Sequence, residues 1–267
     1  MQPLLFKTKF FSLHTFWIFF AIAFIAGTYT LIKLSIKHNL KVKFLSDNFW
    51  KLFIWSIIGA RISAVILNYK VYFYELSLAP IFRILSIWDN QLNLWGGIIA
   101  FLISFYLLCK EKDQDFFKWL DAIVPSIIVG LSIGHIGAFF QGINYGHETS
   151  LPWGVNFESI SIKYAVPIHP TQIYAFLYST LIAAILITTK QFQKIRNMEI
   201  KGLIGISGIT IYSLFRFLES FVRGEDAINF FNIRLDTILS FVLTISAGIF
   251  LYLRYNRPTK KKTNKSK

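Results

Sequence analysis

Residues Leu120–Phe140 read LDAIVPSIIVGLSIGHIGAFF. The stretch is long and apolar enough to cross a hydrocarbon core of roughly 30 Å. It lacks the alternation of a barrel strand. Six more runs of the same kind flank it: Phe16–Ile32, Phe49–Leu67, Leu94–Cys109, Ile173–Thr188, Leu203–Phe221 and Ile238–Leu253. So many such runs in one chain exclude a soluble helical core. The predicted fold class is all-α, a polytopic membrane protein of about seven transmembrane helices.

Composition agrees. The chain has 267 residues, of which 54% are hydrophobic and 16% charged, too little charge for a soluble domain of this length. The first run lacks a small-residue cleavage site before a polar mature domain, so it reads as a retained helix. No internal repeat is evident, which disfavours inverted-repeat transporters. Residues 1–255 read as a single transmembrane domain and 256–267 as a disordered, basic cytoplasmic tail.

The net charge of +14 is chiefly topological. The stretches after runs one, three, five and seven hold 19 Lys and Arg, and the others hold 7. This asymmetry predicts the N-terminus outside and the C-terminus inside. The tail from Arg254 would lie on anionic lipid. A nucleic-acid role is disfavoured. Two segments predicted to be outside, Asn68–Asn93 and Gln141–Pro170, are longer than turns require and suit an interfacial cover.

With that orientation, the intramembrane polar residues gather between mid-depth and the outer face. Arg61 lies mid-way along run two. His135 and Gln141 lie near the outer end of run four, and His169 stands just before run five. Tyr212, Arg216, Glu219 and Arg223 share one face of run six. Two readings of that face stay open. Arg216 and Glu219 form an internal pair that lets the helix sit in lipid, or the arginines grip a phosphate. Two arginines over one glutamate predict surplus positive charge, which favours the second. Gly130, Gly134 and Gly137 predict a flat face for helix contact. Cys109 reads as packing. The histidines show no metal-ligand spacing, and no Gly-x-Ser-x-Gly elbow occurs.

The order of these motifs resembles the bacterial prolipoprotein diacylglyceryl transferases, from about Phe16 to Arg254. Gly59-Ala60-Arg61 is similar to that family's Gly-x-Arg. Trp88-Asp89 and Trp95-Gly96-Gly97 resemble its Trp-Asp and His-Gly-Gly. Asp121, Pro125, Gly134, Gly137, Gly142, Tyr145-Gly146 and Leu151-Pro152-Trp153-Gly154-Val155 follow its long signature. His169-Pro170-Thr171-Gln172-Ile173-Tyr174 looks like its His-Pro-(Ser/Thr)-Gln-Leu-Tyr-Glu, and Arg216 and Arg223 match its helix-six arginines.

The resemblance implies seven helices in the bacterial inner membrane. It also implies transfer of a diacylglyceryl group from phosphatidylglycerol to a prelipoprotein cysteine at the outer leaflet; a related transfer on another anionic phospholipid is the wider reading, and no cofactor is expected. Arg61, Arg216 and Arg223 would hold the phosphate, with Gln141, Tyr174 and Glu219 lining the substrate site. His135 or His169 would be the base. The chain departs from the family pattern at Trp95 (for His), His135 (for Arg), Ala138 (for Asn), Gln141 (for Asn), Ile143 (for Glu), Ala175 (for Glu) and Phe16 (for Tyr). Its helix-six glutamate sits one residue early, at Glu219. These losses keep a second reading open, a silent homologue that binds lipid or lipoprotein signal peptides. A small transporter is a third reading, but it needs a polar path into the cytoplasmic half, and the sequence offers none.

Overall fold

A computed structural model of the chain describes residues 4–7, 12–69, 92–157, 162–195, 200–227 and 229–256. Among the described residues, a short hairpin, β1 (Leu4–Lys7) and β2 (Ser12–His14), precedes seven helices. These are α1 (Thr15–Lys37), α2 (Lys43–Leu67), α3 (Leu94–Glu111), α4 (Phe116–Gln141), α5 (Thr171–Ile195), α6 (Leu203–Ser220) and α7 (Leu235–Tyr255). A second hairpin, β3 (Asn229–Phe230) and β4 (Ile233–Arg234), joins α6 to α7. The chain is an all-α polytopic membrane protein. Six helices are long and apolar enough to cross a bilayer among the described residues. The other, α3, has 18 residues and ends in Lys110 and Glu111. Trp88-Asp89, most of the Asn68–Asn93 segment and the basic tail beyond Asn256 lie outside the described residues.

The helices fall into two compact units. The smaller, Asn39–Phe116, contains α2 and α3. Glycine explains how closely these two helices approach. A Cβ on Gly59 would lie 2.2 Å from Ala100 Cβ, and one on Gly96 would lie 1.8 Å from Ser63 Oγ. Any side chain at either position would push the helices apart, so both motifs that contain these glycines serve packing. The Asn93 side chain accepts from Gly96 N–H at 3.2 Å and caps the start of α3. Arg61 and Cys109 are both buried in this unit, as are Phe105 and Leu108.

The larger unit comprises Met1–His38 and Phe117–Lys267. Its core includes Trp119, Ala122, Ile128, Ile182, Leu186 and Ile204. α1 lies against α4 across two of the three predicted glycines. A Cβ on Gly130 would meet Ala23 O at 3.3 Å, and one on Gly137 would meet Phe19 Cβ at 2.8 Å. Gly134 has nothing within 4 Å of its Cβ position and takes no part in that contact. Trp17, Phe20, Phe24 and Ile25 on α1, and Val242, Ile245 and Ile249 on α7, are exposed. In a bilayer these side chains face lipid, so their exposure has no hydrophobic cost.

One polar residue departs from the expected clustering. Asp121 is buried at the opposite end of α4 from His135. Its Oδ2 accepts from Gly202 N–H at 2.7 Å and its Oδ1 from Gly205 N–H at 2.8 Å. These amides open α6 and have no partner within their own helix. Gly202 has φ of +84°, a left-handed conformation that glycine adopts without steric cost. A Cβ on Gly205 would sit 2.6 Å from the Leu120 backbone. Asp121 is therefore a cap supplied by one helix to another.

Candidate functional site

The other end of the larger unit is built by the exits of α4 and α6 and the entries of α5 and α7. α4 ends in a Schellman turn: Ile143 N–H donates to Ala138 O and Gly142 N–H to Phe139 O, both at 3.2 Å. Gly142 has φ of +72° and Asn144 of +58°. This turn reverses the chain and presents Asn144 to two neighbours. Thr171 Oγ donates to the Asn144 carbonyl at 2.5 Å. Gln172 Nε2 donates to the Ile143 carbonyl at 2.8 Å. Hydrogen bonds between Gly146 and His169 and between His147 and Val222 then tie the α4–α5 segment to both the start of α5 and the end of α6. Gly146 has no room for a side chain, because a Cβ there would meet His169 O at 2.6 Å.

Arg216, Glu219 and Arg223 converge, as their spacing predicts, but α7 completes the group. Arg216 donates to Glu219 Oε1 at 2.9 Å and to Asp236 Oδ2 at 3.1 Å. Arg223 donates to the same Asp236 oxygen at 3.1 Å and to Asn144 Oδ1 at 3.0 Å. It also pairs with Glu225. Arg234 donates to Glu225 Oε1 at 2.8 Å and to the carbonyls of Arg223 and Glu225 at 3.0 Å each. Glu219 Oε2 accepts from the Tyr178 hydroxyl at 2.7 Å. Tyr212 packs edge-on against Tyr178, with ring centroids 5.7 Å apart.

The expected surplus of positive charge on helix six is thus corrected. Among the described residues, three arginines face three carboxylates, and Asp236 and Glu225 supply the two that a one-helix count leaves out. A helix-face argument sees only one element, whereas ion pairs in a bundle are made across elements. Asn144, Tyr178, Glu225, Arg234 and Asp236 were all missed by sequence reasoning. The available signal for Asp236 was its place in the first turn of α7, where a carboxylate is favoured.

The remaining candidates divide. Arg216 is an electrostatic neighbour of His135, whose Nε2 is buried with no hydrogen-bond partner among the described residues. Gln141 also keeps a buried Oε1 without a partner. His169 and Tyr174 belong to a separate chain of bonds. Trp153 Nε1 donates to Tyr174 Oη at 2.8 Å, and Tyr174 Oη lies 3.2 Å from His169 Nδ1. Only the His169 tautomer protonated on Nδ1 leaves a lone pair on Nε2 for a substrate proton. Burial, and then His147, hold the His169 pKa below its ordinary 6.5. Arg61 belongs to the smaller unit, where it is buried. Among the described residues, no group of three or more His, Cys, Asp or Glu side chains is gathered as metal ligands.

This end therefore gathers guanidinium groups, carboxylates and imidazoles. The model of the prolipoprotein diacylglyceryl transferase family matches residues 3–254. The chain belongs to this family. A phosphatidylglycerol–prolipoprotein diacylglyceryl transferase of Clostridium tetani (strain Massachusetts / E88) is 30% identical over 253 residues, covering 94% of this chain and 97% of that protein. The enzyme of the same name from Finegoldia magna is 28% identical, covering 92% and 94%. That from Pseudomonas entomophila is 30% identical, covering 82% and 80%. Ala138 is buried, at 3% exposure.

Proposed function

We propose that this chain is a phosphatidylglycerol–prolipoprotein diacylglyceryl transferase of the bacterial inner membrane, with residues 1–255 acting as one membrane domain. The observation that carries the reading is the convergence of Arg216 and Arg223 at one end of the unit, through one oxygen of Asp236. The positive-inside asymmetry supports placing that end at the outer leaflet, with the basic tail on the cytoplasmic side.

In the reaction, the prelipoprotein cysteine sulfur attacks the diacylglyceryl carbon that carries the phosphate. A C–S bond forms, the C–O bond breaks, and glycerol phosphate leaves with the bonding electrons. Arg216 and Arg223 stabilise the charge that gathers on the leaving phosphate. The thiol proton passes to His135, whose buried nitrogen lacks a partner, with His169 as the other candidate base. Gln141, Tyr174 and Glu219 line or brace the substrate site.

A second reading, a lipid-binding homologue without transfer, is favoured by one observation. The arginine charges are already balanced by carboxylates. Expression in a bacterial strain depleted of its own transferase separates the two. The unmodified chain should restore lipoprotein modification, and His135→Ala should remove at least about 10²-fold of the activity, the range typical of a lost general base. No complementation by a chain that is folded and inserted would rule out transfer.

A further inference from the structure

Asp236 presents a single oxygen, Oδ2, to two guanidinium groups, Arg216 from α6 and Arg223 from the segment after it, at 3.1 Å each. Two converging guanidinium donors around one anionic oxygen are also the arrangement that recognises a phosphate. The three carboxylates of the network are not held alike. Glu219 has a side chain only 4% exposed and is fixed by Tyr178. Glu225 is 18% exposed and bonded to Arg234. Asp236 is the most open at 28%. Its place in the first turn of α7 favours negative charge, so the carboxylate has somewhere to remain after leaving the arginines. The same network contains a buried donor without a partner among the described residues, Arg223 Nε, next to the Nη donors already named. A phosphate has more acceptor oxygens than a carboxylate and suits such a set.

We propose that Asp236 is a place-holder for the phosphodiester of the donor lipid: its Oδ2 stands between Arg216 and Arg223 where a phosphate oxygen binds, and the lipid displaces it. The inference rests on the transferase reading for the identity of the lipid, but its chemistry requires only an anionic phosphate. In the resting state the site is electrically balanced, which allows three arginines to stay partly buried at a membrane interface. The cost is weaker binding, because each incoming phosphate competes with a tethered carboxylate. Asp236 therefore sets how selectively the site takes a phosphate over solvent or a neutral headgroup.

The test is a binding measurement on the full-length protein purified in detergent. Dioctanoyl phosphatidylglycerol is titrated into the wild type, Asp236→Asn, Asp236→Ser and Asp236→Glu. Both neutral variants should bind at least about tenfold more tightly than the wild type, because the competitor charge is gone. Asp236→Glu should stay within about threefold of the wild type. Adding Arg216→Gln to Asp236→Asn should abolish the gain. Inorganic phosphate titrated in parallel separates a lipid site from a general anion site: a gain for both shows that the phosphate carries recognition, and a gain for the lipid alone shows that the acyl chains are needed as well. Binding by the neutral variants that is no tighter than wild type, or weaker, would overturn the proposal. So would failure of both neutral variants to fold, since Asp236 would then be a structural counter-charge. Transfer is scored separately. Tighter binding without transfer refutes only the transferase reading, and normal transfer without tighter binding refutes only the place-holder.

Discussion

The two ends of the larger unit solve the same problem differently. At one end Asp121 is buried, and both of its oxygens accept backbone amides at the start of α6. Each donor is an obligatory group that the helix itself cannot satisfy, so this carboxylate is fully committed to the fold. At the other end, Asp236 also lies near a helix start, but its partners are long, charged side chains from other elements. Those partners can exchange one anion for another without breaking a helix. A buried carboxylate bonded to backbone amides stabilises structure, while one bonded to guanidinium groups and partly open can take part in binding.

The sharpest way to break this comparison is topological. A reporter active only outside the membrane should be active after Asn156 and silent after Lys267. Activity at the C-terminus would put the Asp121 end, rather than the arginine end, at the exterior. Next in size is Arg216→Lys. One ammonium cannot reproduce a fork that reaches Glu219 and Asp236 together. Loss of transition-state donors of this kind typically lowers kcat on the order of 10²-fold, and a diacylglyceryl transfer assay should show it. Asp121→Ala should do the converse. It removes the acceptor of two α6 amides and should lower stability by about 2 kcal/mol. The activity per folded molecule should be unchanged, which thermal melts and kinetics together would show.

The smallest expected effect is on pH. Because burial and His147 lower the His169 pKa, the neutral ring is favoured in the folded protein. Its contribution is whole above the ordinary value of 6.5 and is lost as the pH falls through the lower folded value. Tyr174→Phe removes the hydroxyl beside His169 Nδ1. It should move the acid limb of the activity profile, measured from about pH 5 to 8, and change the plateau rate only a few-fold.

The sequence by itself determined the membrane class, the helical spans and the family, because apolar run length and motif order are properties of the chain read along its axis. It also placed Arg216, Glu219 and Arg223 on one face, since helical spacing is local. It could not reveal that Asp236 and Asn144 complete the arginine group, or that Asp121 belongs to the fold. Nor could it separate the His135 surroundings from the His169–Tyr174–Trp153 chain. Those facts depend on which helices become neighbours and on the turns that aim them, above all the left-handed residues Gly142 and Asn144. Charge balance in a bundle is a property of contacts between elements, and only the tertiary structure decides those contacts.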